Sequence, residues 1–308
     1  MPSDTLALPR AEAMGIRNET DLFGAVVPYP FVATKAITHP VVALDATVPE
    51  GWSDDFAEAV AGSVLLGFTA FGLEDARSAG RLLLVAGPVR LKSVLGVGGR
   101  GQASVADAAA LDRALDEIDP TTLATAGLVL EEDLKDVVTL SVGQVRLGGM
   151  VASYHGTQCL TRDHRGEQVY GGSSLHVVRG DFDVLLALDL PDRVRLAITQ
   201  ARRYDSAADQ VFPGFVASRR NYDVAQGLNG RGTWRSGVLE QSWRIGGASG
   251  AEVAALEAFQ ADPGLTSVHA STHEVYGELE LPSNAILSYR GDDPEVGRIV
   301  KFTTVERA

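Results

Sequence analysis

Apolar positions recur at helical spacing over 53–62 and 73–85, switch to strand-like alternation at 88–93, and return to a helical pattern over the alanine-rich stretch 105–118. Ser104 stands where that last helix needs a cap, and Asp107 lies near its favourable positive end. Residues 127–132 (GLVLEE) read as a buried strand and 137–147 as an alternating one. Glycine and β-formers over 148–180 predict two or three antiparallel strands. A long amphipathic helix is expected over 192–210, then strand-like pieces at 211–217, 221–226 and 236–243. Gly246, Gly247 and Ser249 introduce a helix over 250–261, and 266–306 reads as mixed strands. Residues 1–50 are expected to be irregular, because Pro28, Pro30, Pro40 and Pro49 limit helix length. This order, α/β early and antiparallel β with helices later, predicts an α+β or two-lobed architecture instead of regular βαβ alternation.

Composition narrows the class. With 308 residues, 45% of them hydrophobic, the chain can bury one large core or two ordinary ones. A formal net charge of −13 argues against non-specific nucleic-acid binding, which needs clustered cations, and the pairs Arg202-Arg203 and Arg219-Arg220 do not reverse that. Cys159 is the one cysteine, so no intrachain disulfide can form and a reducing compartment is expected. No signal pattern and no apolar run of about 20 residues is present, which predicts a cytoplasmic location and no membrane partner.

The strand Val89-Arg90-Leu91-Lys92 runs into a glycine-rich loop that includes Gly96, Gly98, Gly99 and Gly101. Glycine lets backbone N–H groups approach an anion, and Lys92 adds a mobile positive charge, so the segment suits phosphates. Glycines of a surface hairpin and a solvated edge-strand lysine are the plainer readings. The spacing Gly96-x-Gly98-x-x-Gly101 also fits a dinucleotide fingerprint. However, Asp116, twenty residues on, sits in a helix pattern instead of ending a second strand. No Gly-Lys-Ser/Thr occurs, which excludes a Walker-type loop. Glu131, Glu132 and Asp133, followed by Leu134, end a buried strand. They suit either a strand running into solvent or a hinge whose extended backbone reads a purine edge.

Asp223 lies in a half-buried strand pattern, and Glu240, Ser242 and Arg244 share one face of the next by alternation. Two carboxylates on neighbouring strands match what Mg²⁺ takes from a protein when substrate phosphates complete its shell, although acids on an exposed sheet face would look the same. His155, Cys159, His164 and His176 fit no compact zinc spacing. No Gly-x-Ser-x-Gly elbow is present. Tyr154, His155, Arg162 and Arg165, in the glycine-rich 148–172 stretch, are candidates for substrate contact.

Taken in order, these segments resemble the ATP-grasp superfamily, whose members bind ATP between two α+β lobes. The resemblance runs from about residue 30 to 262. It equates Lys35 (in ATKA, 33–36) and Lys92 with the two nucleotide lysines, Gly98, Gly99 and Gly101 with the loop over the phosphates, and 130–134 (LEEDL) with the adenine hinge. Asp223 is equated with the first metal acid, and 240–244 (EQSWR) with the Glu-x-Asn-x-Arg segment. The stretches 31–40 (FVATKAITHP), 218–227 (SRRNYDVAQG) and 238–252 (VLEQSWRIGGASGAE) more closely resemble an uncharacterised bacterial family of unknown function. Ser242 replaces the usual asparagine, and Thr139 stands where many relatives place a ribose-binding glutamate. Only about thirty residues precede Lys35, where relatives carry a whole α/β domain, so a shortened or differently built start is expected.

The resemblance implies ATP and Mg²⁺ as cofactors and a small lobe at 86–135. Around it lie an N-terminal segment 1–30, a linker and helical part 31–85, a large lobe 136–262 and a β extension 263–308. It implies a ligase that activates a small-molecule carboxylate as an acyl phosphate for attack by an amine or thiol. Lys35, Lys92, Gly98, Gly99, Gly101, Glu131, Glu132 and Leu134 would hold the nucleotide. Asp223, Glu240 and Ser242 would hold the metal, and Arg244 would stabilise the reacting group. A nucleotide-binding module without turnover and a nicotinamide-dependent oxidoreductase are the alternative functions.

Overall fold

The computed structural model describes residues 4–96, 101–294 and 296–308. Strand β1 (Thr5–Ala7), helix α1 (Leu8–Ala13) and strand β2 (Ala25–Val27) open the chain. Two 3-10 turns follow, Pro30–Ala33 and Lys35–Thr38, before helix α2 (Asp55–Ala59). The Thr34 hydroxyl caps the second turn by accepting the Ala36 N–H. The prolines do keep helices short here, but the segment is more ordered than its pattern suggests. Strands of three residues are too short to show periodicity, and tertiary pairing fixes them.

The next elements build a small lobe: β3 (Gly67–Ala70), α3 (Leu73–Leu84), β4 (Val89–Ser93), β5 (Gln102–Val105), α4 (Ala108–Asp116), α5 (Pro120–Ala126) and β6 (Leu128–Glu132). Its four strands are antiparallel in the order β3-β6-β4-β5. Val89, Leu91, Leu128 and Leu130 face the helices and pack with Leu83, Leu111 and Leu115. Alternation therefore aims Arg90, Lys92 and Glu131 at the opposite face. Ser104 is not the cap of α4. Residues 102–105 pair with 89–92 as a hairpin, and Asp107 takes the cap by accepting the Ala110 N–H at 2.8 Å. The glycine-rich segment thus joins two antiparallel strands, whereas a dinucleotide fingerprint must run from a strand directly into a helix.

The large lobe comprises β7 (Lys135–Leu147), β8 (Met150–Arg162), β9 (Gln168–Arg179), α6 (Phe182–Leu186), α7 (Asp192–Val211), β10 (Val216–Ala217), β11 (Arg219–Leu228), β12 (Trp234–Ser242), α8 (Ser249–Ala261), β13 (Ser267–Tyr276), β14 (Ile286–Asp293) and β15 (Gly297–Arg307). Eight of these strands form one antiparallel sheet in the order β12-β11-β7-β8-β9-β13-β15-β14. The short β10 instead pairs with β2, which itself runs parallel to β1. Helix α7 buries Ala197, Ile198, Ala201, Tyr204 and Ala208 at helical spacing against Val142, Tyr222, Val224 and Val238. Helix α8 covers the other face through Ala251, Ala255 and Phe259, against Val145, Tyr154, Leu175 and Val177. The lobes meet where Val64 bridges to Val238 and where Arg235 and Asn229 reach Glu132.

Candidate active site

A cleft of about 730 Å³ separates the small-lobe sheet from the β7, β11 and β12 end of the large one. On the small-lobe side, Lys92 is 3% exposed, because β4 is an interior strand flanked by β5 and β6. Its ammonium lies 2.5 Å from Glu131 Oε1, and His39 Nε2 is 3.3 Å from the other oxygen of that carboxylate. Burial pushes the Glu131 carboxyl up, but Lys92 first and His39 second outweigh it and hold the group below the usual glutamate range. Arg90 shares the face of Lys92, as alternation requires, and is taken up by Asp133 at 2.8 Å.

The hinge is narrower than its sequence suggests. Glu132 accepts from Arg235 at 2.8 Å, the Leu66 N–H at 3.1 Å and Asn229 at 3.3 Å. The backbone N–H groups of Glu132 and Asp133 donate to Leu66 O and Pro88 O. Both glutamate side chains are therefore committed to the protein. Among the described residues the Leu134 N–H donates to no acceptor, and the Leu134 side chain packs with Leu65, Ala225 and Leu239. That apolar pocket, drawn from four distant segments, left no short-range signal in the sequence.

Lys35 is buried by the 3-10 turn that carries it, and its ammonium crosses the cleft to lie 2.5 Å from Glu240 Oε2 and 3.5 Å from Gly96 O. Gly98 and Gly99 lie outside the described residues. Gly101 has φ +71°, and its carbonyl accepts the Ser93 N–H, closing the hairpin.

Asp223 and Glu240 are direct register partners on β11 and β12. The register slips immediately afterwards, Val224 pairing with Val238, which leaves Leu239 as an extra residue. Strict alternation would send Glu240 to the same side as Val238, into the core under α7. The bulge resets the phase, so Gln241 and Trp243 point down towards Tyr204 and Phe215 while Glu240 and Ser242 line the cleft. Asp223 accepts from Gln158 at 3.1 Å and Asn221 at 3.3 Å. Burial first and the neighbouring Glu240 charge second push its carboxyl up to about 7.

Strand β12 ends at Ser242, so Arg244 lies past the regular strand. It lies exposed beyond the strand, donates to Ile245 O at 3.0 Å, and still lines the cleft. Arg219, which the sequence marks only as half of a short basic pair, is 1% exposed and central. It grips both oxygens of the buried Glu252 and donates to Ser242 O at 2.9 Å, to Ser242 Oγ at 3.1 Å and to Arg244 O. Tyr154, a candidate for substrate contact, is instead sealed beneath α8, its hydroxyl 2.5 Å from Glu252. From the same hairpin Gln158, Leu160, Gln168 and Tyr170 reach the cleft. Thr139 lines it too, opposite Ala225. Of the histidine and cysteine candidates, Cys159 is exposed, and His164 bonds Arg298 O at 3.0 Å, apart from His155 and His176.

Fold and site define a two-lobed α+β protein in which buried lysines and a pair of carboxylates face one another across a cleft. The chain belongs to the family described as Protein of unknown function (DUF3182), which matches residues 1–303. No curated protein matches it. Among solved structures it is similar to D-alanyl-alanine synthetase A from Vibrio cholerae O1 biovar eltor. That likeness has 12% identity and a TM-score of 0.40, over 60% of this chain and 51% of that one, about half its length. It is also similar to phosphoribosylamine–glycine ligase from Thermotoga maritima, with 13% identity over 100% of this chain and 79% of that one, TM-score 0.49. Likenesses of this size leave the chemistry of this chain to its own residues.

Proposed function

We propose that the chain is an ATP-grasp-type ligase that uses Mg²⁺ and ATP to activate a small-molecule carboxylate for attack by an amine or thiol. The observation that carries this reading is the meeting of Lys35, Lys92 and the Leu134 backbone with Asp223, Glu240 and Ser242 around one cleft. The apolar pocket of Leu65, Leu134, Ala225 and Leu239 suits a purine, and the free Leu134 N–H suits a ring nitrogen. An ammonium has three donors, so Lys92 keeps two for phosphate oxygens after serving Glu131.

The donor set also fits a hard cation. Asp223 and Glu240 are adjacent carboxylates, one of them pushed towards its neutral form although Lys35 pairs with Glu240 and the Arg219 charge acts on Asp223. When bound, Mg²⁺ would neutralise charge on the phosphates. Ser242 offers a hydroxyl beside Glu240, and Arg244 puts a guanidinium at the same end, suited to negative charge developing on the carboxylate to be activated. Gln158 and Asn221 orient Asp223.

Calorimetry with a non-hydrolysable ATP analogue, with and without Mg²⁺, combined with phosphate release across a panel of carboxylic acids, amines and thiols, tests the proposal. Tight Mg-dependent binding is expected, together with acid-dependent phosphate release that Glu240→Ala abolishes. Absence of nucleotide binding would sink it. A second reading, a nucleotide-binding module without turnover, draws on Ser242, whose hydroxyl is already engaged by Arg219. Binding with no phosphate release across the panel would favour that module.

A further inference from the structure

Three histidines form a row on the face of the large sheet that the cleft does not use. His155 on β8 is the register partner of His176 on β9, and His176 is the register partner of His269 on β13. Their sequence neighbours Tyr154, Leu175, Val177, Val268 and Ala270 all pack beneath α8. Alternation therefore puts the three imidazoles on the opposite face. Asp223 is flanked by Tyr222 and Val224, which pack under α7, so the cleft acids lie on the α8 side and the two groups are separated by the sheet itself. Glu306 on β15 is the register partner of His269 and continues the row to four side chains of metal-ligating type.

The spacing suits chelation. Zinc sits about 2 Å from an imidazole nitrogen, so two imidazoles at a near-tetrahedral angle have ring centres about 5 Å apart. The observed centroid separations are 5.5 Å for His155–His176 and 4.8 Å for His176–His269. His155 Nε2 is the one buried side-chain nitrogen or oxygen among the described residues that lacks a hydrogen-bond partner. A buried polar atom left in that state costs free energy, and an ion would relieve it. Exposure grades along the row, from the exposed His269 to half-buried His176 and His155, which leaves an entry from solvent.

We infer that His155 and His176 chelate one divalent transition-metal ion of the imidazole-preferring class, Zn²⁺ or Cu²⁺, with water completing its shell on the solvent side. Among the described residues no group of three His, Cys, Asp or Glu side chains is already gathered around a single point. The site is therefore a two-imidazole chelate, not a closed structural centre. Burial, and then the neighbouring His176 and His269, push the His155 imidazole down to about 4, and burial followed by His269 lowers His176.

The test uses the full chain without a purification tag, stripped of metal. One equivalent of Cu²⁺ is expected to give a paramagnetic resonance spectrum with superhyperfine structure from two nitrogens, and Zn²⁺ a one-site calorimetric isotherm. His176→Gln and His155→Phe, each checked for native circular dichroism, should weaken Zn²⁺ more than the roughly 10–100-fold that even outer-shell partners cost. Glu240→Gln, on the cleft side, should leave that site intact. An oxygen-only copper spectrum would overturn the inference, as would Zn²⁺ binding kept by His176→Gln and lost in Glu240→Gln. Should a histidine variant fail to fold, the copper spectrum of the unaltered protein decides alone.

Discussion

The Lys35 ammonium stands 2.5 Å from the Glu240 carboxylate, so two groups proposed to bind different parts of Mg–ATP hold one another. Lysine here fills the cationic role that a metal would take. On the proposed function, nucleotide and metal would part the pair, and Glu240 would bind Mg²⁺ less well until phosphates drew Lys35 away.

Lys35→Met should therefore strengthen Mg²⁺ binding in the absence of nucleotide, by about tenfold if the pair contributes near 1.4 kcal/mol, while weakening ATP. Calorimetric titration of each ligand alone measures both. Unchanged Mg²⁺ affinity would show that the lysine does not compete.

Asp223 predicts a pH dependence of definite sign. Its carboxyl is pushed up to about 7, chiefly by burial and then by Glu240, whereas in an unfolded chain it titrates near 4. Between those values the native state holds the extra proton, so the contribution of Asp223 to stability declines as pH rises from about 4 through 7. Metal binding needs the ionised form, so Mg²⁺ affinity should climb steeply from pH 5.5 and level off above 7. Asp223→Asn should remove the slope and stabilise the nucleotide-free protein. Titrations from pH 5.5 to 8 check this, and a flat profile excludes the residue as a ligand.

Lys92→Ala is not a clean test of nucleotide binding. It strands Glu131, buried at 1% exposure, and breaking such a pair costs about 3–5 kcal/mol. The pair Lys92→Met with Glu131→Gln should recover most of that stability without recovering nucleotide affinity, as read by chemical denaturation and calorimetry. Glu131 also fixes the acid limb. Lys92 and His39 hold its pKa low against burial, so its stabilisation is present above about pH 4 and is lost as pH falls through the depressed value.

Arg219→Met should likewise destabilise by about 3–5 kcal/mol, leaving Glu252 buried without a counter-charge and held only by the Tyr154 hydroxyl. Adding Glu252→Leu should restore the fold but not the anchoring of Ser242 and Arg244. The double variant is then expected to melt near the parent temperature while turning over poorly, and full activity in it would remove Arg219 from the site.

Much of the architecture was legible because long elements carry strong periodicity. The pattern over 192–210 appears as α7, and the alternation at 88–93 placed Lys92 and Arg90 on one face. What escaped was decided between distant segments. The strand at 102–105 forms because 89–92 is there to pair with it, which overrode the reading of Ser104 as a helix cap. Leu65 and Leu239 come from segments far apart in sequence and meet only in the folded chain, and Arg219 gave no sign of burial because its partner Glu252 lies on another element.

The single surplus residue at Leu239 has a consequence for engineering. Deleting it would let Glu240 follow Val238 in plain alternation, so the carboxylate would keep its place opposite Asp223 and Gln241 its reach to the Tyr204 hydroxyl, while the apolar pocket would lose the wall that Leu239 gives it. The ionic handhold would survive such a shortening, and the apolar seat beside it would be the part that is given up.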